Sequence, residues 1–220
     1  MTTLHVFDMD GTLLRNSTAS LEIARRLGCL TDLVALEAAF ACGALDTVGF
    51  ASGIHELWAT LDEAEVLASF ESAPWIAGIT DVFADIRERG EHSLVITMSP
   101  DFFADRLRDR GADDVVASRF PPLPFCQPLD PAGILRPVDK VSIADRVLAR
   151  HGLDRDACVA YGDSMSDAPL FAVLRHTVAV NADTHLRQLG KLHYDGDDLR
   201  QAYRSVREML AGKHTDPGTG

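Results

Sequence analysis

The 220-residue chain predicts an α/β fold, a doubly wound parallel sheet carrying a small all-helical second domain. Three observations lead there. Short apolar runs of strand length alternate with helix-like stretches, the pattern of strand–helix–strand units that build one parallel sheet. Three of those runs end in polar or acidic residues, as strands do when their carboxyl ends open onto a shared crevice. From Leu14 to about Thr80 there are only amphipathic stretches, which puts an all-helical insertion directly after the first strand.

The first strand is Leu4 to Asp8, apolar and closed by Gly11. The insertion follows as helix-like segments at Ser20 to Leu27, Leu33 to Phe40, Phe50 to Leu61 and Glu63 to Phe70. Strands resume at Ser93 to Thr97 and Asp114 to Ala117. Between Phe120 and Pro137 six prolines crowd together, and their missing N–H donors exclude a central strand or helix. Asp130-Pro131-Ala132-Gly133 reads as the turn of a β-hairpin leaving the sheet, or as part of a stiff loop that rims a site or meets a partner chain. Lys140 opens a helix over Val141 to Leu148, and strands follow at Cys158 to Gly162 and Thr177 to Val180. The expected boundaries are a core of residues 1–14 and 80–212, a helical domain of 15–79, and a frayed, turn-rich tail of 213–220.

The chemistry concentrates where strands end. In Val6-Phe7-Asp8-Met9-Asp10-Gly11-Thr12, two carboxylates stand two residues apart, so they leave an extended backbone on the same side. Crowded carboxylates raise one another's pKa unless a cation shares them, and a hard divalent ion such as Mg²⁺ is the simplest partner. A second acidic group follows the strand at Cys158 to Gly162: Gly162 permits a tight exit, and Asp163 and Asp167 meet on one face of a starting helical turn. The run Ser93 to Ile96 ends in Thr97-Met98-Ser99-Pro100. Lys140, at a helix start, opposes the helix dipole, which points to a role outside the helix.

In this order and spacing the pieces resemble the haloacid dehalogenase superfamily of phosphatases, over about the whole chain. The first motif, DxDxT, is similar to Asp8–Thr12; the second, a Ser or Thr after a strand, to Thr97; the third, a Lys, to Lys140; the fourth, GDxxxD, to Gly162–Asp167. The resemblance implies a Rossmann-like core and a helical cap that closes over the site. It implies that Asp8 attacks phosphorus and becomes an aspartyl phosphate, while Asp10 protonates the leaving alcohol and later deprotonates water. Mg²⁺ would be held by Asp8, Asp163 and the backbone carbonyl of Asp10, with Asp167 ligating it or steadying Lys140. Thr97, Lys140 and the backbone N–H groups near Met9 and Gly11 would bind the phosphate oxygens, with Ser99 a further contact from the next turn. An acid at Asp10 favours phosphate monoesters over carbon–halogen bonds, because a halide leaves without a proton. It does not separate hydrolysis from intramolecular phosphoryl transfer, so a phosphomutase is the alternative, and a phospho-accepting signalling module a more distant one.

The insertion most resembles that of the phosphoserine phosphatase-like branch. There a Glu past the first motif grips the substrate amine and an Arg in the cap grips the carboxylate. Here Ser17 and the segment Ser52 to Trp58 stand at those places, so both charged grips are missing. Arg15, Asn16 and Ser17 follow the motif closely, and His55 and Trp58 share one helical face at i, i+3 spacing. A neutral polar mouth with aromatic walls would suit a polyol, sugar or cyclitol phosphate rather than phosphoserine.

Composition narrows the partners. A formal net charge of −12 argues against nucleic acid and against anionic membrane surfaces. The four cysteines, Cys29, Cys42, Cys126 and Cys158, form no CxxC pair and read as reduced, mostly buried thiols. No apolar run approaches the roughly 18 residues of a membrane span, and no signal-peptide pattern opens the chain. The expectation is a cytoplasmic enzyme, monomer or homodimer, acting on a small phosphate ester.

Overall fold

Strand β1 (Leu4–Phe7) is buried throughout, and its side chains divide between two cores: Leu4 and Val6 enter one hydrophobic cluster and Phe7 the other. That division is the two-residue period of a strand covered by helices on both faces, and it explains why the run is apolar without alternation. The computed structural model describes residues 2–212, and the tail expected at 213–220 lies outside them. After β1 come α1 (Ala19–Leu27), α2 (Leu30–Ala41), α3 (Thr47–Leu57), α4 (Glu63–Ser72) and α5 (Ile79–Glu88). Next are β2 (His92–Pro100), α6 (Asp101–Ala104), β3 (Asp114–Ser118), α7 (Asp139–Arg150) and β4 (Cys158–Gly162). The chain continues through α8 (Ala168–Val173), β5 (His176–Val180), α9 (Thr184–Leu189), β6 (Leu192–Tyr194) and α10 (Leu199–Leu210).

The six strands form one sheet in the order β3-β2-β1-β4-β5-β6, and every neighbouring pair is parallel. The chain winds outward from β1 to β3, then returns to β4 beside β1 and winds the other way. The ends of β1 and β4 therefore flank the point where the topology reverses, the place where open α/β sheets bind ligands.

The inserted helices pack on one another, α1 against α2 and α4, and α2 against α3. The chain leaves and re-enters the sheet layer at one place: the Ile76 N–H donates to the Leu13 carbonyl and the Arg15 N–H to the Pro74 carbonyl, each at 2.9 Å. Helix α3 ends at Leu57 rather than at Leu61, the N–H of its C-cap Trp58 donating to the Ile54 carbonyl, and Asp62 caps α4 by accepting from the Glu65 N–H at 2.8 Å. Trp58 is fully buried in the larger core.

The cysteine expectation is corrected: only Cys158 is buried, Cys29 is half-buried, and Cys42 and Cys126 are exposed. Of the two readings of the proline-rich segment the structure has the loop rather than the hairpin: residues Pro131–Gly133 make a single 3₁₀ turn, because the prolines supply too few donors for a ladder. An unforeseen sixth strand, β6, pairs with β5 at the sheet edge; at three residues with one fully apolar side chain it carries almost no periodic signal. Among the described residues, no helix is long and apolar enough to cross a membrane.

One buried polar network sits under β1. The His5 ring, completely buried, lies with Nε2 3.0 Å from Glu91 and Nδ1 3.1 Å from the Tyr161 hydroxyl; a carboxylate only accepts, so Nε2 carries the proton and, in the neutral ring, Nδ1 accepts from Tyr161. Arg207 closes the network on both Glu91 oxygens. Burial lowers the His5 pKa, against the opposing pull of Glu91.

Candidate active site

Asp8 directly follows β1, and its N–H still donates to the Tyr161 carbonyl of β4 at 2.9 Å, so its side chain emerges at the topological switch. Two glycines let the acidic segments close on each other. Gly11 has φ +78°, and a Cβ there would lie 2.0 Å from Asp163 Oδ2; a Cβ on Gly162 would lie 2.4 Å from Asp167 Oδ2. Neither position tolerates a side chain while the carboxylates stay where they are.

Lys140 reaches in from the first turn of α7 and is almost wholly buried. Its Nζ donates to Asp8 Oδ1 and to Asp167 Oδ1, both at 2.6 Å. Burial alone would strip the lysine of its charge, but the two carboxylates outweigh it and hold its pKa above the ordinary value. One ammonium does not neutralise the cluster. Carboxylate oxygens of Asp8, Asp163 and Asp167 lie within 4.8 Å of one another, and burial, then Asp167 and Asp10, push the Asp163 carboxyl up to about 7. Asp163 Oδ1 is buried without a hydrogen-bond partner. An orphaned anionic oxygen facing two further carboxylates fits a hard divalent cation.

Asp10 points elsewhere. Its Oδ1 accepts from the Ala19 N–H at the start of α1 at 2.8 Å, and its Oδ2 accepts from the Ser99 hydroxyl at the end of β2. The acid is thus clamped between an inserted helix and the sheet. Burial raises its pKa against the pull of those two hydrogen bonds. Thr97, on β2, is buried, and its Oγ1 accepts from the Ser99 N–H at 3.1 Å, leaving the hydroxyl proton free to donate. The Met9 side chain is buried, and its N–H makes no hydrogen bond among the described residues. The Gly11 N–H, expected at the phosphate, instead donates to the Ser17 carbonyl at 3.2 Å.

The sequence profile of the haloacid dehalogenase-like hydrolases matches residues 5–172. The chain belongs to that family. Curated relatives include a hydrolase of Mycobacterium leprae and phosphoserine phosphatase SerB1 of Mycobacterium tuberculosis, each 32% identical over 75 residues. Those matches span about a third of this chain, 34%, and only about a quarter of the relatives' own length, 25% and 24%. A substrate-bound phosphoserine phosphatase complex superposes with a TM-score of 0.78 at 20% identity, covering 93% of this chain and 98% of that one. A family hydrolase from Salmonella enterica serovar Typhi gives 0.79 at 21% identity, over 90% and 70%. At these identities the likeness establishes a shared fold.

In this family member the crevice around Asp8 also takes in Ser164, Ser166, Asn181 and Asp183. Asn181 and Asp183 leave β5 as Asp8 and Asp10 leave β1, a polar strand end that the sequence pattern could have flagged. A second cavity of about 210 Å³ continues from Asp10 beneath the inserted helices. Of the four residues expected at the mouth, only Ser17 borders either cavity, and its hydroxyl is engaged by Glu22 and Arg25. Arg15 turns away toward Asp197, 3.9 Å from its carboxylate. His55 stacks on Phe125 and bonds the Gln127 carbonyl at 3.0 Å, which ties α3 to the proline-rich loop. Trp58 is core, as an indole on the apolar face of a helix usually is.

Proposed function

We propose that the protein is a Mg²⁺-dependent phosphatase that hydrolyses a small-molecule phosphate monoester through an aspartyl phosphate on Asp8. The observation that carries this reading is the pairing of two carboxylates with different environments on one short segment. Asp8 is held by a lysine among other carboxylates, whereas Asp10 is held apart by Ser99 and Ala19; burial raises the pKa of both, against the pull of Lys140 at Asp8 and of the Ser99 and Ala19 hydrogen bonds at Asp10. The ammonium bonded to Asp8 favours its anionic form for attack, and Asp10, which bonds no cation, can carry a proton.

The Asp8 carboxylate attacks phosphorus as the ester P–O bond breaks, and Asp10 gives its proton to the departing alkoxide. Asp10, now ionised, takes a proton from water, which attacks phosphorus and breaks the bond to Asp8. Both carboxyls return to their starting states. Lys140 and the Thr97 hydroxyl meet the phosphate oxygens, and the Met9 N–H is a further donor. Asp8, Asp163 and the carbonyl of Asp10 would hold the cation, which supplies the charge neutralisation a carboxylate needs to approach a phosphate dianion. Asp167 uses Oδ1 on Lys140 and Oδ2 on the Asp163 N–H, at 3.2 Å, so it orients the lysine. The four helices between β1 and α5, residues 15–79 with their linkers, act as the cap that excludes water. A cytoplasmic location is part of the same reading.

A polyol, sugar or cyclitol ester was expected from Arg15, Ser17, His55 and Trp58. Arg15, His55 and Trp58 border neither of the two cavities at Asp8 and Asp10, so the ester is better argued from the walls that do. The test is phosphate release from p-nitrophenyl phosphate with and without Mg²⁺, beside Asp8→Asn, with acid-quench trapping of phosphorylated protein. Mg²⁺-dependent release that is lost in the variant is expected; release that survives Asp8→Asn would overturn the assignment.

A further inference from the structure

The cavity that continues from Asp10 opens beside the acid assigned to protonate the leaving alcohol, so it can hold the alcohol part of an ester bound at Asp8. Its apolar walls are Phe40 of α2, Phe50 and Ile54 of α3, and Phe120 of the proline-rich loop; Glu37 of α2 and the hydroxyls of Thr18, Ser20 and Thr47 are its polar groups beside Asp10 and Ser99. Among the described residues no Lys, Arg or His lines it. Glu37 is half-buried there, and the influences on its carboxyl are burial and, next, the negative charge of Asp10, both of which raise its pKa. A carboxylate placed beside phenylalanines and a second acid, with no cationic side chain in the cavity, is unfavourable unless a cation joins it.

We infer that the enzyme acts on the phosphate ester of a short amino alcohol that carries no carboxylate, its N-alkylated ammonium seated between Glu37 and the phenylalanine walls. This rests on the phosphatase reading above and adds the leaving group. Phenylalanine faces attract an organic cation through their quadrupole, and an alkylated nitrogen sheds water easily enough to enter an apolar space. The same walls disfavour phosphoserine, whose carboxylate would face Glu37 and find no cationic side chain. A neutral polyol would find the hydroxyls of Thr18, Ser20 and Thr47 but would leave the charge of Glu37 uncompensated.

The experiment compares kcat/KM for phosphocholine, its uncharged isostere 3,3-dimethylbutyl phosphate, phosphoserine and p-nitrophenyl phosphate, in the wild type and in Glu37→Gln. The cationic ester should exceed both the isostere and phosphoserine by about tenfold or more, and Glu37→Gln should bring the cation-to-isostere ratio toward one, mainly through KM. Because the ratio is taken within one preparation, partial misfolding of the variant cancels. A check that needs no variant is inhibition of p-nitrophenyl phosphate turnover, where choline should act at lower concentration than 3,3-dimethylbutanol. Turnover without preference for the cation, a preference for phosphoserine, or a ratio unmoved by Glu37→Gln would overturn the inference and leave the phosphatase standing. No release from any ester would overturn the phosphatase reading itself.

Discussion

Lys140 Nζ donates to Asp8 Oδ1 at 2.6 Å, joining α7 to the end of β1 across 132 positions of sequence. Both groups are nearly excluded from solvent, and Asp167 accepts from the same ammonium. Removing the lysine leaves two buried carboxylates without their shared cation. Lys140→Met should therefore cost about 3–5 kcal/mol of stability in the absence of metal. It should also lower kcat/KM by about 10²–10³, since a fixed charge at the phosphate is lost. Thermal melts with and without Mg²⁺ check the first part: the metal should narrow the stability gap, and an equal gap in both conditions would show that the cluster does not bind it.

The approach of Gly11 to Asp163 gives a second prediction. A methyl group at Gly11 would sit 2.0 Å from Asp163 Oδ2 in a backbone conformation that L side chains rarely adopt. Gly11→Ala should displace Asp163 and raise the Mg²⁺ concentration for half-maximal activity by about 10–100-fold, the usual effect of disturbing groups that orient metal ligands. A Mg²⁺ titration of activity decides it. An unchanged midpoint would mean that Asp163 does not hold the ion.

How much of this was legible in the sequence follows from how local each feature is. Asp8, Asp10, Asp163 and Asp167 were readable because strand alternation and one turn of helix bring each pair together within a few residues. Lys140 carried a weaker sign, a cation at the wrong end of a helix. Ser99 was read as a phosphate contact, yet its hydroxyl goes to Asp10, because the end of β2 meets the first motif only when the sheet forms. His55 and Trp58 do share a helix, but i, i+3 spacing identifies a face without saying whether it meets a cavity, a loop or the core. Glu37 had no sequence signal at all. It becomes conspicuous only when α2 stands beside α3 over Asp10.

The different partners of Thr97 and Ser99 separate two kinds of loss. Thr97→Ala removes a hydroxyl at the phosphate site and should lower kcat/KM by about 10² with little change in the pH profile. Ser99→Ala should cost less at the optimum. It removes a hydrogen bond that favours ionised Asp10, so the Asp10 pKa rises further above its ordinary value. A general acid works until the pH passes its pKa, so the alkaline limb of the kcat profile should move to higher pH. A Ser99→Ala profile that keeps its limb, with the larger loss of rate, would assign Ser99 to the phosphate instead.

The His5 network predicts the pH dependence of folding. As a neutral ring, His5 gives its one proton from Nε2 to Glu91 and takes one at Nδ1 from Tyr161, so every polar atom is paired. A second proton on Nδ1 would face a hydroxyl that must turn its own hydrogen into the core. This agrees with a folded pKa below the ordinary 6.5. The unfolded chain then binds more protons than the native state in the window from 6.5 down to the folded value, so stability is complete above pH 6.5 and falls as the pH drops through that window. The slope is limited to about 1.4 kcal/mol per pH unit for one group. Glu91, whose pKa is also lowered by His5 and Arg207 in spite of burial, loses its contribution only at more acidic pH. Urea midpoints should accordingly decline between pH 7.5 and 5.5 in the wild type and decline less in His5→Gln. A wild-type midpoint that rose on acidification would mean that Glu91 holds His5 as an imidazolium, reversing the assignment of the proton.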